Sequence, residues 1–191
     1  MNYKDLKIEE FLDKLSSSDS MPGGGVASAL VAANGISLIM MVCNLSIGKE
    51  KYKENEQLII SSKEKCESLK KDFISLMDKD AENFKVMEEV FAMPKGTEEE
   101  KQMRKEAMQN ACKKCCEVPK EIILKCLEGI EISNSLKNKT NTSAASDLEV
   151  GNILLIAAAG GAWDNIEINL KYIEDKQFVE KFNNIKKTLG Y

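Results

Sequence analysis

Residues 26–48, VASALVAANGISLIMMVCNLSIG, contain no charged side chain. The run is preceded directly by Pro22-Gly23-Gly24-Gly25. Its length would let it cross a bilayer. Its Ala, Ser and Gly content and the amides of Asn34 and Asn44 dilute its hydrophobicity, and no Trp or Tyr flanks it. The reading adopted is therefore a central helix surrounded by other helices. The rest of the chain must then supply the helices that cover it.

It does so in both directions. Ile8, Phe11, Leu12 and Leu15 fall at helical spacing, which predicts a first amphipathic helix over residues 5–15, followed by a polar loop to Gly25. Residues 51–92 carry a seam of Cys66, Leu69, Phe73, Leu76, Asp80, Phe84, Met87 and Phe91. Met93-Pro94-Lys95-Gly96 ends that helix. Thr97 with Glu100 reads as a capping box that opens the next, which is expected to run to about Glu117. Pro119 suits the first turn of another helix bearing Ile122, Ile123, Leu127 and Ile130. A polar linker over 138–145 precedes a helix capped by Ser146 that includes Val150, Ile153, Leu154, Trp163 and Ile166. Phe178, Phe182 and Ile185 mark a last helix near 176–188. The expectation is one all-α domain spanning 1–191, a multi-helix up-and-down bundle with a central uncharged helix.

Composition narrows the function. The net charge is -4, and no basic stripe interleaved with aromatics stands out, which argues against nucleic-acid binding. The polar, acidic start lacks the layout of an export signal. Six cysteines in 191 residues are too few for a disulfide scaffold, so reduced thiols and a cytoplasmic location are expected. There is no histidine at all. Ser-His-Asp triads and His-ligated zinc are excluded, and proton transfer near neutrality falls to Asp, Glu, Lys, Cys, Tyr or water.

Six features bear on chemistry, each with a plainer reading beside it. Gly23, Gly24 and Gly25 bare the approach to a helix N-terminus, where backbone N–H groups meet an anion or a carbonyl oxygen; a turn that allows close helix packing needs the same residues. Asp80 is a carboxylate in an apolar seam, where burial raises its pKa toward a useful range; a slight rotation would turn it to water or to Lys79. Ser146 and Asp147 either serve a ligand or cap a helix. Asn165 and Asn169 share a helix face, so their amides either recognise a heterocycle or bond within the core. Lys49, Lys51 and Lys95 sit at helix ends, facing an acidic group or solvent. Cys112-Lys113-Lys114-Cys115-Cys116 is too sparse for a zinc site and reads, with Cys43, Cys66 and Cys126, as packing.

In order along the chain stand Met21-Pro22-Gly23-Gly24-Gly25, Asn44-Leu45-Ser46-Ile47-Gly48-Lys49 with Tyr52, Asp80-Ala81-Glu82-Asn83-Phe84, Met93-Pro94-Lys95, Ser146-Asp147-Leu148-Glu149-Val150, and Gly161-Ala162 with Asn165-Ile166 and Ile168-Asn169-Leu170. This set resembles the formiminotetrahydrofolate cyclodeaminase and methenyltetrahydrofolate cyclohydrolase family over nearly the whole chain. One departure is Val26, where the family pattern usually has Ser after the glycines; the work of that hydroxyl would pass to Ser28 or to the backbone. The resemblance implies a homodimer acting on a tetrahydrofolate derivative as substrate, with no permanently bound cofactor and no metal. It implies closure of formimino-tetrahydrofolate with loss of ammonia or, as the alternatives, hydrolysis of the methenyl bridge or weak folate binding. A formiminotransferase would be a separate chain. Asp80 is the expected proton carrier, with Asp147 the second candidate. Pro22, Gly23, Gly24, Gly25, Ser28, Asn44, Lys49, Lys51, Lys95, Ser146, Asn165 and Asn169 are the expected substrate contacts.

Overall fold

A computed structural model describes residues 2–188. Six α-helices account for the architecture: α1 (Ile8–Leu15), α2 (Gly24–Asn44), α3 (Glu56–Ala92), α4 (Glu98–Leu136), α5 (Ala145–Leu170) and α6 (Lys176–Thr188). Three short 3-10 turns, Tyr3–Asp5, Glu50–Asn55 and Thr142–Ala144, punctuate them, and there is no strand among the described residues. Helices α2 to α5 form an up-and-down four-helix bundle. Each packs on its neighbours in sequence, and α5 closes the ring against α2. Phe73, Leu76, Ile36, Ile39, Ile122, Ile123, Leu155 and Ile166 are fully buried between them.

The uncharged helix is where expected, but it occupies one corner of the bundle rather than being enclosed on every side. By length and composition it passes for a membrane span, yet 56% of its most apolar window is buried in the protein. Its inward face is Val26, Ala29, Ala32, Ala33, Ile36, Ile39 and Val42; Leu30, Val31, Leu38 and Met41 stay partly exposed. The small residues let α2 and α5 approach closely in antiparallel register. Gly24 faces Asn165, Gly161 faces Ser28, and Gly35 and Gly151 each place their backbone carbonyl against the other. A Cβ on Gly151 would lie 2.8 Å from the Gly35 carbonyl oxygen and 2.9 Å from Ile39 Cγ1.

Several boundaries differ from expectation. Helix α1 begins at Ile8 and buries only Phe11, leaving Ile8 and Leu12 exposed. Residues 50–55 form a 3-10 turn before α3 begins at Glu56. The Thr97–Glu100 capping box is present, with Glu100 N–H donating to Thr97 Oγ1 at 3.1 Å. The helix it opens does not stop near Glu117: Pro119 is inside α4. Its ring deprives the Cys115 carbonyl of a helical partner, but Ile122, Ile123 and Cys126 beyond it are fully buried in the same core, and packing carries the helix through. Ser146 does not cap α5, which starts one residue earlier. Among the described residues no side chain caps α5; Asn141 caps the 3-10 turn before it, its Oδ1 accepting from Ser143 N–H at 3.1 Å.

Overpacking a close helix crossing typically costs about 1–3 kcal/mol. Gly151→Ala is therefore expected to lower stability by about that amount, read as a lower denaturant midpoint. A midpoint equal to the parent's would contradict the close α2–α5 crossing.

Candidate active site

Helix α2 begins with no side chain on its first two residues, Gly24 and Gly25, and Gly23 precedes it in extended conformation. The Met21–Pro22 peptide is cis. Into the bared space comes Asp80 from α3. A Cβ on Gly25 would lie within 2.6 Å of Asp80 Cγ and Oδ1, so the carboxylate occupies the place a side chain would take. On the other side, a Cβ on Gly24 would lie 2.9 Å from Asn165 Nδ2 of α5. The glycines are thus demanded by the groups packed on them, and their conformational freedom is secondary.

Burial pushes the Asp80 carboxyl up to about 6, and a hydrogen bond from the backbone N–H of Val26 opposes the rise. Asp80 is thus neither turned fully to water nor paired with Lys79: it is a partly buried carboxylate whose burial raises its proton affinity. Beside it, burial and the Asp80 charge together push the Cys115 thiol up to about 11. That thiol donates to the Asn83 carbonyl at 3.7 Å.

A cavity of about 420 Å³ opens at this point, within the usual range for small-molecule sites. Gly23, Gly24 and Gly25 with Asp80 and Asn83 form one wall, and Phe84, Met87, Phe91 and Tyr172 give it apolar and aromatic faces. Asn165 and Asn169 line it from α5. Asn165 Nδ2 donates to the Gly161 carbonyl at 2.7 Å and Asn169 Nδ2 to the Asn165 carbonyl at 2.7 Å. Each amide nitrogen keeps a second hydrogen and each amide oxygen its lone pairs, so both residues can donate to and accept from a ligand ring.

Other expected site residues lie elsewhere. Pro22 is buried beside the loop rather than on the cavity wall. Ser28 donates to the Gly24 carbonyl at 2.7 Å and packs on Gly161, inside the α2–α5 seam. At the Val26 position it is the backbone N–H that reaches Asp80. Asn44, Lys49, Lys51, Ser146 and Asp147 gather at the opposite end of α2, about 30 Å away by helix rise. Around them, Asn141 N–H donates to Ser46 Oγ at 2.8 Å, Thr142 N–H to Tyr52 Oη at 3.2 Å, and Lys51 Nζ approaches Thr142 Oγ1 at 3.4 Å. Within one chain, Asp147 cannot share the Asp80 cavity. Lys95 lines a separate cleft beside it.

Sequence reading passed over Cys112 and Cys115, taken as packing, and Met108, Ile168 and Tyr172. The signal for the last two was present: they continue the face of Asn165 and Asn169 at three- and four-residue spacing.

A partly buried carboxylate set against a side-chain-free helix start, in a cavity of small-molecule size, marks this helical bundle as a small-molecule enzyme. The chain belongs to the formiminotransferase-cyclodeaminase family, whose model matches residues 7–187. It is 37% identical over 174 residues to a methenyltetrahydrofolate cyclohydrolase of Methylorubrum extorquens, covering 91% of this chain and 84% of that one. It is 31% identical to the formimidoyltransferase-cyclodeaminase of Gallus gallus, covering 88% of this chain but only 31% of that longer protein. Its fold matches a crystal structure of formiminotetrahydrofolate cyclodeaminase from Thermotoga maritima with a TM-score of 0.86 at 26% identity, over 98% of this chain and 89% of that one.

A carboxyl raised from 3.8 to about 6 binds its proton more tightly in the folded chain. Its ionisation then costs stability as pH rises between those values, and the cost is complete above about 6. At about 1.4 kcal/mol per pH unit this amounts to about 3 kcal/mol. Asp80→Asn escapes the cost, so its stability relative to the parent should grow by up to about 3 kcal/mol between pH 3.5 and 7.5. A difference that stays flat with pH would show that Asp80 ionises normally.

Proposed function

We propose that this chain is a folate one-carbon enzyme, a formimidoyltetrahydrofolate cyclodeaminase that forms 5,10-methenyltetrahydrofolate and releases ammonia. The observation that carries the reading is the Asp80 carboxylate, poised near pH 6 in the cavity beneath the glycine start of α2. In this reaction N10 attacks the N5-formimino carbon. N10 must lose a proton as its bond to carbon forms, and the departing nitrogen must gain one as its bond breaks. Asp80 accepts the first proton and returns it to the leaving amine, so the enzyme ends as it began. Its negative charge also sits beside an amidinium cation.

The pterin would lie among Phe84, Met87 and the Asn165 and Asn169 amides, with the bridge carbon toward Asp80. No permanently bound cofactor enters the scheme. Hydrolysis of the methenyl bridge is the second reading, favoured by the 37% identity to the cyclohydrolase over most of both chains. There Asp80 takes a proton from water as the oxygen bonds to the same carbon and gives it to N5 as the C–N5 bond breaks, and the remaining hydroxyl proton leaves to solvent as the carbonyl of 10-formyltetrahydrofolate forms. The transferase step would belong to a separate chain, and the six free thiols suit a cytoplasmic setting.

We further infer a homodimer. Val150, Ile153 and Ile156 are 45%, 55% and 49% exposed on α5, beside the partly exposed Leu38 of α2, an apolar strip that asks for cover. Because α2 and α5 are antiparallel, a two-fold axis across this strip and perpendicular to the helices would swing the Asp147 end of one protomer toward the Asp80 cavity of its partner. That arrangement gives the distant residues a place near substrate.

Purified protein offered formimino- and methenyl-tetrahydrofolate separates the reactions by ammonia release and by methenyl absorbance. Asp80→Asn is expected to lower the turnover of whichever substrate is used by about 100- to 10,000-fold. The parent's kcat/KM should fall below about pH 6 as the carboxylate protonates. Near-normal turnover by the variant would remove Asp80 from the chemistry. For the assembly, Ile153→Glu should convert a dimer to monomers in sedimentation; a monomeric parent would sink the pairing.

A further inference from the structure

Two of the six free thiols open into the Asp80 cavity. Cys112 and Cys115 stand three residues apart on α4, and both line its wall. The other thiols are turned elsewhere. Cys116 is fully buried, its Sγ 4.0 Å from the Ile166 carbonyl of α5. Cys43, Cys66 and Cys126 are fully buried in the core and do not line the cavity. The proton transfers assigned to Asp80 use neither cavity thiol. Cys115 Sγ makes a weak 3.7 Å bond to the Asn83 carbonyl, and Cys112 Sγ has no hydrogen bond among the described residues.

Spacing decides what the pair can do. Residues three apart on a helix hold their Cβ atoms roughly 5–6 Å apart. A disulfide needs roughly 3.5–4.5 Å, so Cys112 and Cys115 cannot close on each other without distorting α4. A bridge of three atoms, S–X–S, spans the wider gap, where X is an atom that takes two thiol sulfurs at once. Both thiols hold their protons. Burial raises the Cys112 thiol, and burial together with Asp80 and Cys112 brings the Cys115 thiol to about 11. Reagents that need a thiolate are therefore slow here. A reagent that carries its own hydroxyl groups escapes that limit, because each thiol proton departs with a hydroxyl as water. The cavity also has room for an organic group on X: Phe84, Met87, Phe91 and Ile168 give it apolar walls in a volume of about 420 Å³.

We propose that Cys112 and Cys115 form a chelating dithiol site for trivalent organoarsenicals, and that capture there blocks the Asp80 cavity. The step is an exchange with no change of oxidation state. One R–As(OH)2 and two thiols give R–As(S–Cys)2 and two waters. Two As–O bonds break, two As–S bonds form, and each thiol proton leaves on a departing hydroxyl. The Asp80 carboxylate, close enough for its charge to act on Cys115, relays the proton. Trivalent arsenic is the class this geometry selects: two sulfurs satisfy two of its valences, and the third carries the organic group into the apolar chamber. A metal ion would ask for further ligands, and no group of three or more Cys, Asp or Glu side chains able to hold one is found among the described residues. The site does not depend on which reaction the cavity performs.

The probe is phenylarsine oxide, which hydrates in water to the dihydroxide, offered to the full, reduced chain. One equivalent per chain should bind, read as a mass increase by native mass spectrometry. A dithiol, 2,3-dimercaptopropanol, should release it, and excess glutathione, a monothiol, should not. The second As–S bond is intramolecular, so Cys112→Ser and Cys115→Ser should each weaken binding by about 100- to 10,000-fold. Cys116→Ser should bind as the parent does. Circular dichroism checks that each variant is helical, and Cys115, the more exposed of the pair, carries the test if Cys112→Ser fails to fold. The arsenical-loaded parent should lose turnover of its accepted substrate. No binding by the parent, release by glutathione, or a Cys115→Ser variant that binds as tightly as the parent overturns the site. Loss of binding in Cys116→Ser overturns the assignment to this pair, and full turnover by the loaded parent overturns the blockade.

Discussion

The carboxylate of Asp80 is packed against the Cα of Gly25, and much of the molecule follows from that contact. It needs α3 to pass close by the first turn of α2, which is possible only because that turn has no side chains. It holds the charge away from water, which raises the proton affinity of the carboxyl. It also aims the charge at a helix N-terminus, where the Val26 N–H and the helix dipole favour the ionised form. Burial outweighs both, and the balance leaves the Asp80 carboxyl at about 6. Deeper burial would keep it protonated. Full exposure would keep it ionised and useless as a proton acceptor that also gives the proton back.

The same absence of side chains runs the length of the α2–α5 seam. Gly24 and Asn165, Ser28 and Gly161, and Gly35 and Gly151 meet in antiparallel order. Close backbone approach along this seam lets the Asn165 and Asn169 face reach the cavity that Asp80 enters from the other side. It also leaves the outer faces of both helices apolar and uncovered. The glycine, alanine and serine content that made residues 26–48 look like a diluted membrane span is thus the composition of a tight helix–helix contact.

What could be read before the fold was known was whatever local chemistry determines. The Thr97–Glu100 capping box is local, and it is present. The α3 seam is periodic, and Phe73, Leu76 and Met87 are buried. Pro119 misled because its local preference for a helix start is overridden by the core that Ile122, Ile123 and Cys126 enter on the far side. Within the site, Asp80, the glycines and the two asparagines were legible because each breaks the pattern of its own element. Asp147, Lys49 and Lys51 were grouped with them because the family segments give residue types without saying which end of a helix each occupies. The cleft that Lys95 lines was invisible for the opposite reason. Its lysines look like ordinary solvated residues until Tyr172, from beyond the end of α5, closes over them.

A protein without histidine has few ways to hold a proton near pH 6, and a desolvated Asp is one of them. The choice has a consequence for turnover. A cationic amidinium or methenyl ligand beside Asp80 favours the ionised carboxylate and offsets the cost of burying it. In the proposed reaction, binding of the cation would charge Asp80 at the moment a base is needed. Once the bridge opens to a neutral formyl group, that compensation is lost and the carboxylate again favours its proton. In the hydrolytic direction the proton taken from water is thus stabilised on Asp80 as the product forms, and it is close at hand for N5. In the ring-closing direction the cation is also the product, so the carboxylate that assists its formation holds it back. In the proposed scheme one buried charge beside the bridge carbon would serve either reaction, and the family holds relatives named for each.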